Sequence, residues 1–356
     1  MLLVTFHGGS KGINNVYAYN PDGSRATKTA LDEPKDGKLS ELRAMVLANG
    51  LLYVANGAKS QSTVLAYTVP SSGTTFTNPS TLIGPTLSKN GHFETSIAHP
   101  FGIVFETATT CYVSNQDTNV VSLVAVSGDG LSGSMAEGCQ SGYLNGLFAT
   151  GTFLGGTYVA SQVGILPDVT ATTTVVDHAH GGLGVSFDSG KVKNSVRDVA
   201  IANGILFVCD EPEKVVDLYS LSDGSYLGSS NALIESPTHL AIDNGGLYVS
   251  AGSTLYWGLL PQSPSSTSLA LQTITPTPPA AQDPLKIGGI SFDDGSPTTV
   301  YLPYQQGTGG STPGGSIYSY SVSQQPPAAP VLTSGKPFVA SLDDTPEFVL
   351  YWSGGS

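Results

Sequence analysis

The 356-residue sequence predicts an all-β protein, and within that class a β-propeller. Three observations carry this reading. Helical periodicity is almost absent, and short β-branched or aromatic runs alternate with Gly, Asn, Asp and Pro turns throughout. A unit of apolar strand, turn, second strand ending in Asn or Asp, and third strand recurs along the chain. Its period is about 40 to 60 residues with roughly four strands per unit, the spacing of propeller blades. One blade cannot bury its own faces, so the copies must close into a ring.

The clearest copies are LRAMVLANGLLYVANGAKSQSTVLAYTVPSSG from Leu42, PFGIVFETATTCYVSNQDTNVVSLVAVSGDG from Pro100 and VRDVAIANGILFVCDEPEKVVDLYSLSDGSYLG from Val196. A fourth, PTHLAIDNGGLYVSAGSTLYWGLL, begins at Pro237, and weaker ones begin near Tyr143, Ile287 and Pro337. Aligned on Gly102, the starts fall at Ala44, Gly102, Gly146, Asp198, His239, Gly289 and Val339. Seven starts predict seven blades of four antiparallel strands, with six or eight left open by one unassigned strand at the chain junction. The last blade is read from KPFVASLDDTPEFVLYW, closed by the N-terminal strands LLVTFH and NVYAYN. The Pro-rich stretch from Pro261 and the Gly-rich one from Gln305 read as insertions between strands, so residues 1–356 form one domain.

Composition narrows the partners. A net charge of −13 argues against nucleic acid and against a polybasic membrane surface. Only 12% of residues are charged, while Gly, Ser, Thr and Pro are abundant, which suggests an exported β-rich protein. Met1 leads straight into LLVTF without a signal-peptide pattern, so an extracellular protein is expected here in mature form. A monomer is expected. The three cysteines, Cys111, Cys139 and Cys209, allow at most one intramolecular disulfide and show no metal-binding spacing.

The blade geometry turns the repeat into a site. The start of each first strand and the end of each second strand gather at one channel mouth. In the His99 register the units give Glu41, His99, Tyr143, Ser195, Ser236, Lys286 and Lys336. Two residues on, they give Arg43, Phe101, Asn145, Arg197, Thr238, Gly288 and Phe338. The second strands end at Asn56, Asn115 and Asp210, with His7 and Tyr304 at the corresponding places. Two of only three arginines, Arg43 and Arg197, thus meet at one rim with a histidine, a tyrosine and several amides. Such polar diversity marks a ligand site grafted on a repeat. Competing readings stand beside it. Asn56, Asn115 and Asp210 could cap tight turns, and Arg43 and Arg197 could pair with Glu41 and Asp198. His92 lies on a loop reaching the same face. Asp177, His178 and His180 in VVDHAHGGLG are weak metal-ligand candidates, since alternate strand residues could share an ion.

The phrases HPFGIVF…CYVSNQDTNVVSLVAV and LFVCDEPEKVVDLYSLSDGSYLG resemble the NHL-type and lactonase-type propellers over nearly the whole chain. The rim chemistry and export-like composition are also similar to those of secreted fungal propeller lyases, including those that release rhamnose capped on glucuronate from gum arabic. That resemblance implies β-elimination on a uronic-acid glycan of plant or microbial origin, with no cofactor. Arg43 and Arg197 would hold the carboxylate, His99 would be the base, and Tyr143 or His239 the acid. Asn56, Asn115, Asn145, Asp210, Phe101, His92 and His7 would contact substrate. Two alternatives accompany it. One is a non-catalytic glycan-binding propeller, which the differing rim residues disfavour. The other is a lactonase or cycloisomerase, in which Glu41, Asn56, Asn115 and Asp210 could ligate Ca2+, or His and Arg could act without a metal.

Overall fold

The computed structural model describes residues 1–7, 12–57, 62–84, 97, 99–116, 120–135, 150–153, 156–159, 196–211, 213–222, 226–265, 268–274, 276, 285–305, 314–323 and 326–354. Every regular element among them is a strand. Blade 1 contains β1 (Leu2–Phe6), β2 (Tyr17–Tyr19) and β3 (Arg25–Thr27); blade 2 contains β4 (Leu42–Ala48), β5 (Leu51–Asn56), β6 (Thr63–Thr68) and β7 (Thr77–Ile83). Blade 3 is β8 (Pro100–Thr107), β9 (Thr110–Asn115), β10 (Val120–Val126) and β11 (Gly133–Met135). A two-stranded ladder of β12 (Thr150–Phe153) and β13 (Gly156–Val159) follows.

Blade 4 is β14 (Val196–Ala202), β15 (Ile205–Asp210), β16 (Val215–Ser220) and β17 (Tyr226–Ser229). Blade 5 is β18 (Pro237–Asp243), β19 (Gly246–Ala251), β20 (Thr254–Leu259) and β21 (Gln272–Thr273). In blade 6 the inner strand is split into β22 (Lys286–Ile287) and β23 (Ser291–Phe292), both paired with β24 (Thr299–Gln305), which is followed outward by β25 (Gly315–Ser323) and β26 (Val331–Val339). The last strand, β27 (Pro346–Tyr351), becomes the inner strand of blade 1 by pairing with β1, Leu3 opposite Leu350 and Val4 opposite Val349. The α-amino group of Met1 reinforces this closure with a 2.7 Å hydrogen bond to the Trp352 carbonyl.

Strand periodicity explains why the ring is stable. Alternate residues of β5 face opposite ways. Leu51, Tyr53 and Ala55 enter the core between blades 2 and 3, whereas Leu52 and Val54 enter the core between blades 1 and 2. Every blade is thus buried on both faces, which is why its strands read as continuous apolar runs. The other four cores lie between blades 3 and 4, 4 and 5, 5 and 6, and 6 and 1. Asn49–Gly50, Asn203–Gly204 and Asn244–Gly245, all at positive φ, turn the inner hairpins of blades 2, 4 and 5 away from the mouth.

The ring has six blades among the described residues, not the seven that the repeat predicts. Blade 4 packs directly on blade 3, with Tyr112, Val121 and Leu123 against Val196, Val199, Leu206 and Val208. Most of the unit expected near Tyr143 lies outside the described residues. The described strands there, β12 and β13, pair only with each other. The unit expected at Pro337 is displaced. Lys336, Pro337 and Val339 lie on β26, the outer strand of blade 6, opposite Ser319, Tyr318 and Ile317. Phe338 accordingly packs on Tyr301, at 5.0 Å between ring centroids, and not at the mouth.

Candidate functional site

All six inner strands carry an irregularity at the same place, near the mouth. In β4 the register slips between Leu42 and Met45, in β8 between Pro100 and Ile103, in β14 between Val196 and Val199 and in β18 between Pro237 and His239. In β27 it falls between Pro346 and Val349, opposite the Val4/Phe6 shift, and in blade 6 it is the break between β22 and β23. A bulge re-aims side chains that a regular ladder would turn into the blade cores. The residues so released are Arg43, Phe101, Arg197, Thr238, Gly288 and Glu347, each followed by a second one: Ala44, Gly102, Asp198, His239, Gly289 and Phe348. Hydroxyls on neighbouring strands hold two of the kinks: Gly102 N donates to Ser114 Oγ (2.8 Å), and Phe348 N to Thr5 Oγ1 (3.1 Å).

The mouth opens into a cavity of about 440 Å3 on the side of blades 4, 5, 6 and 1, within the range of small-molecule sites. Three rings close its floor at the propeller axis. Phe101 of blade 3, His239 of blade 5 and Phe348 of blade 1 meet with centroid separations of 5.5, 5.1 and 4.5 Å. The guanidinium of Arg197 lies 5.0 Å over the Phe101 ring, with Nε and Nη2 both 2.9 Å from Glu211 Oε2. Lys286, Lys214, Glu235 and Gln305 complete the walls.

Glu347 and His7 form the most distinctive pair in this cavity. The His7 backbone N–H bonds to the Thr345 carbonyl, as Gly57 and Gln116 N–H bond to Glu41 and His99 at the equivalent corners of blades 2 and 3. That corner brings His7 Nδ1 to 2.8 Å from Glu347 Oε2, with the histidine 55% exposed and the carboxylate 7%. Burial works to raise the Glu347 pKa, but the His7 hydrogen bond and the charges of Arg43 and His7 outweigh it. The carboxyl is held well below its usual range and stays ionised.

His239 is the opposite case. Its Nδ1 lies 3.0 Å from Thr238 Oγ1 and 3.3 Å from Ser250 Oγ. Both hydroxyls donate elsewhere, Ser250 to the Gly288 carbonyl and Thr238 to the Ser250 carbonyl. The network therefore puts the proton on Nδ1 and leaves Nε2 a lone-pair acceptor, which is buried and has no hydrogen-bond partner. Burial, with smaller contributions from Arg197, Arg43 and His7 and against the pull of Glu347, lowers its pKa to about 4, so the ring is neutral. Asp198 is fully buried. It links two blades, accepting Val199 N at 2.9 Å and Leu240 N at 3.0 Å, and burial pushes its carboxyl up to about 7 against those two bonds.

The remaining sequence-predicted residues divide sharply. Phe101, Arg197, His239 and His7 line the cavity, whereas Arg43 does not and is buried with Nη2 3.7 Å from Glu41 Oε2. Asn56 is bonded to Ser40 N, Lys38 O and Thr63 Oγ1, Asn115 to Val113 O and Ser122 Oγ, and Asp210 to Glu213 N. Those three side chains are buried and hydrogen-bonded within the protein, Asn56 chiefly to the segment that precedes β4. His99 does not line the cavity. It is buried at a left-handed φ of 54°, its N–H bonded to Ser62 Oγ and its Nε2 3.4 Å from Glu41 Oε2. Tyr143, Asn145, His92, Asp177, His178, His180 and Cys139 lie outside the described residues, while Cys111 and Cys209 are buried free thiols. Among the described residues no group of three or more His, Cys, Asp or Glu could hold a metal ion.

Glu347 was missed because the last blade was read nine or so residues too early. The signal was present: Pro346 opens β27 as Pro100 opens β8 and Pro237 opens β18.

No family model matches the chain, and no curated protein matches it. Solved structures match over most of its length. A putative 6-phosphogluconolactonase from Bacteroides uniformis is 10% identical, covering 94% of this chain and 82% of its own, with a TM-score of 0.52. A second from Bacteroides fragilis is 11% identical over 94% and 81%, with a TM-score of 0.51. A protein from Lactobacillus plantarum is 10% identical over the same shares, with a TM-score of 0.51. The chain has the propeller fold of these lactonase-like neighbours.

Proposed function

We propose that this propeller is a lactonase-type hydrolase that opens a small sugar lactone in the cavity beside Glu347. The observation that carries the reading is the His7–Glu347 pair in the cavity wall. An ionised carboxylate at Nδ1 orients the ring of His7 in the cavity wall and leaves Nε2 to act as the base, the logic of a histidine oriented by a buried acid. The likeness of the fold to putative 6-phosphogluconolactonases supports the same class.

The steps balance without a cofactor. His7 Nε2 takes a proton from water as its oxygen bonds to the lactone carbonyl carbon. Lys286 and Arg197, in the cavity walls, stabilise the tetrahedral oxyanion. The ring C–O bond then breaks, and the proton returns from His7 to the leaving alkoxide. The product is a hydroxy acid, and no redox partner is required. The calcium-dependent variant is not part of this proposal, because Asn56, Asn115 and Asp210 of its donor set are each engaged in hydrogen bonds within the protein.

Uronate elimination is the second reading, and Arg43 and Arg197 near the axis are what favour it. His99, the base that the lyase resemblance implies, is not in the cavity wall, which weighs the geometry toward hydrolysis. A pH-stat assay with five- and six-membered sugar lactones, with and without EDTA, tests the proposal, run beside absorbance near 235 nm with gum arabic. Acid release that Glu347→Gln lowers by about 10^2 to 10^4-fold is the expected result. Absorbance at 235 nm without acid release would replace hydrolysis by elimination.

A further inference from the structure

The cavity wall holds a second carboxylate that the hydrolytic steps above leave idle. Glu235 stands just before β18 of blade 5, lines the cavity and is exposed. An unusual corner holds it there. In blades 1, 2 and 3 the residue after the second strand closes its corner with a backbone bond: His7 N to Thr345 O, Gly57 N to Glu41 O and Gln116 N to His99 O. Gly252 follows β19 at the equivalent place in blade 5, and among the described residues it donates no such bond to Ser236. Ser253 N donates to Glu235 Oε2 instead, at 2.8 Å. The carboxylate fills the space that a side chain at 252 would take: a Cβ built on Gly252 would fall on Oε2. The turn accounts for Oε2 and leaves Oε1 with no hydrogen-bond or ion-pair partner among the described residues. Ile287 N donates to the Gly252 carbonyl at 2.8 Å, which ties β22 and its Lys286 to the same turn. Lys286 lies opposite Gln305 on β24, and Gln305 Nε2 donates to the Pro346 carbonyl at 2.9 Å, beside Glu347. The wall thus runs unbroken from Glu235 through Lys286 and Gln305 to the His7–Glu347 pair, and all of these side chains line one cavity.

We propose that Glu235 is the specificity-determining residue of the cavity, with Oε1 accepting hydrogen bonds from hydroxyl groups of the ligand. The choice of ligand rests on the hydrolase reading. With the lactone carbonyl at His7 and Glu347 on blade 1, the ring carbons far from it stand across blade 6, at Glu235 on blade 5. The substrate is then a polyhydroxylated lactone, and an unsubstituted one is rejected. The selectivity follows from the chemistry of the pair. A carboxylate only accepts and a hydroxyl can donate, and a bond to a charged acceptor is stronger than one between neutral groups. An unsubstituted lactone would cover Oε1 without giving it a donor, which costs the desolvation of the carboxylate. Phe101 and Ile287 supply apolar surface in the same cavity for the C–H groups of the ring.

Binding tests this without turnover. The probes are D-glucono-1,5-lactam and δ-valerolactam, which share a ring size and a carbonyl, resist hydrolysis and differ in their hydroxyls. Calorimetry on the full chain should show wild type binding the hydroxylated lactam about tenfold or more tightly. Glu235→Leu, similar in size and unable to accept, should remove that preference with circular dichroism unchanged. Gly252→Ala keeps Glu235 in the chain but puts a Cβ where its carboxylate sits, and should remove the preference too. Gly245→Ala controls for backbone strain. Gly252 and Gly245 flank β19 with φ of 55° and 75°, but a Cβ on Gly245 meets nothing within 4 Å, so the preference should survive there. Equal binding of the two lactams by wild type, or binding of neither, would overturn the assignment. So would a preference that survives Glu235→Leu or Gly252→Ala, or one that Gly245→Ala abolishes equally. A preference that depends on Glu235 in a protein that opens no lactone would leave the assignment standing and remove only the hydrolase.

Discussion

At the scale of the residue, the site depends on opposite treatment of two buried groups. His239 has its pKa lowered to about 4, from an ordinary value near 6.5, chiefly by burial. The unfolded chain therefore binds its proton more readily between about pH 6.5 and 4, and stability falls as the pH drops through that window. Asp198 has its pKa raised by burial to about 7, so its contribution is full below the unfolded value near 4 and is lost as the pH rises toward 7. The two slopes oppose each other, each about 1.4 kcal/mol per pH unit at most. Replacing His239 by Phe removes one of them. Relative to wild type, the variant should gain about 3 kcal/mol between pH 7 and pH 4, measured by urea denaturation across the range. A wild-type-minus-variant difference that does not change with pH would mean that His239 is not buried in its neutral form.

At the scale of the element, the bulge decides function. A regular inner strand would place Arg43, Arg197 and Glu347 in the packed faces between blades, where ions have no solvent. The kink instead delivers Arg197 and Glu347 to the cavity, and it needs close backbone approach at Gly102. A Cβ there would lie 2.6 Å from Asp198 Oδ1 and 2.9 Å from Val199 N. Gly102→Ala should cost about 1 to 3 kcal/mol and displace the Asp198 link to Leu240, visible as a lower denaturation midpoint. An unchanged midpoint would show that blades 3 and 4 are not this tightly apposed. The same bulges explain what could be read in advance. The alignment on Gly102 found the second bulge residue in five blades, Ala44, Gly102, Asp198, His239 and Gly289, because turn and strand residues recur around it. It failed where a strand outside the inner ring copied the pattern. KPFV in β26 has the proline and aromatic of a blade start, so Phe338 took the place that belongs to Glu347. The His7–Glu347 pair joins residues 340 apart in the chain, and no local pattern announces it.

At the scale of the whole molecule, the ring is closed by eleven C-terminal residues or fewer. β27 supplies the inner strand of blade 1, joins the cores on both sides through Val349 and Leu350, and carries Glu347. Its loss would leave β1 an open edge and expose two inter-blade cores at once. A chain ending at Thr345 should therefore lose cooperative thermal unfolding by circular dichroism altogether, and not merely show a lower midpoint. A truncated chain that still melts cooperatively would contradict closure by β27.

The site, the bulges and the closure converge on one carboxylate, so the most direct measurement is lactone ring opening followed in the pH-stat for wild type and for Glu347→Gln. Gln keeps the size of the side chain but removes the charge that orients His7. Turnover by the wild type, lost by about a hundredfold or more in Glu347→Gln with unchanged circular dichroism, is the expected result. Equal turnover by the two proteins would contradict it, and would move the chemistry away from the His7–Glu347 pair.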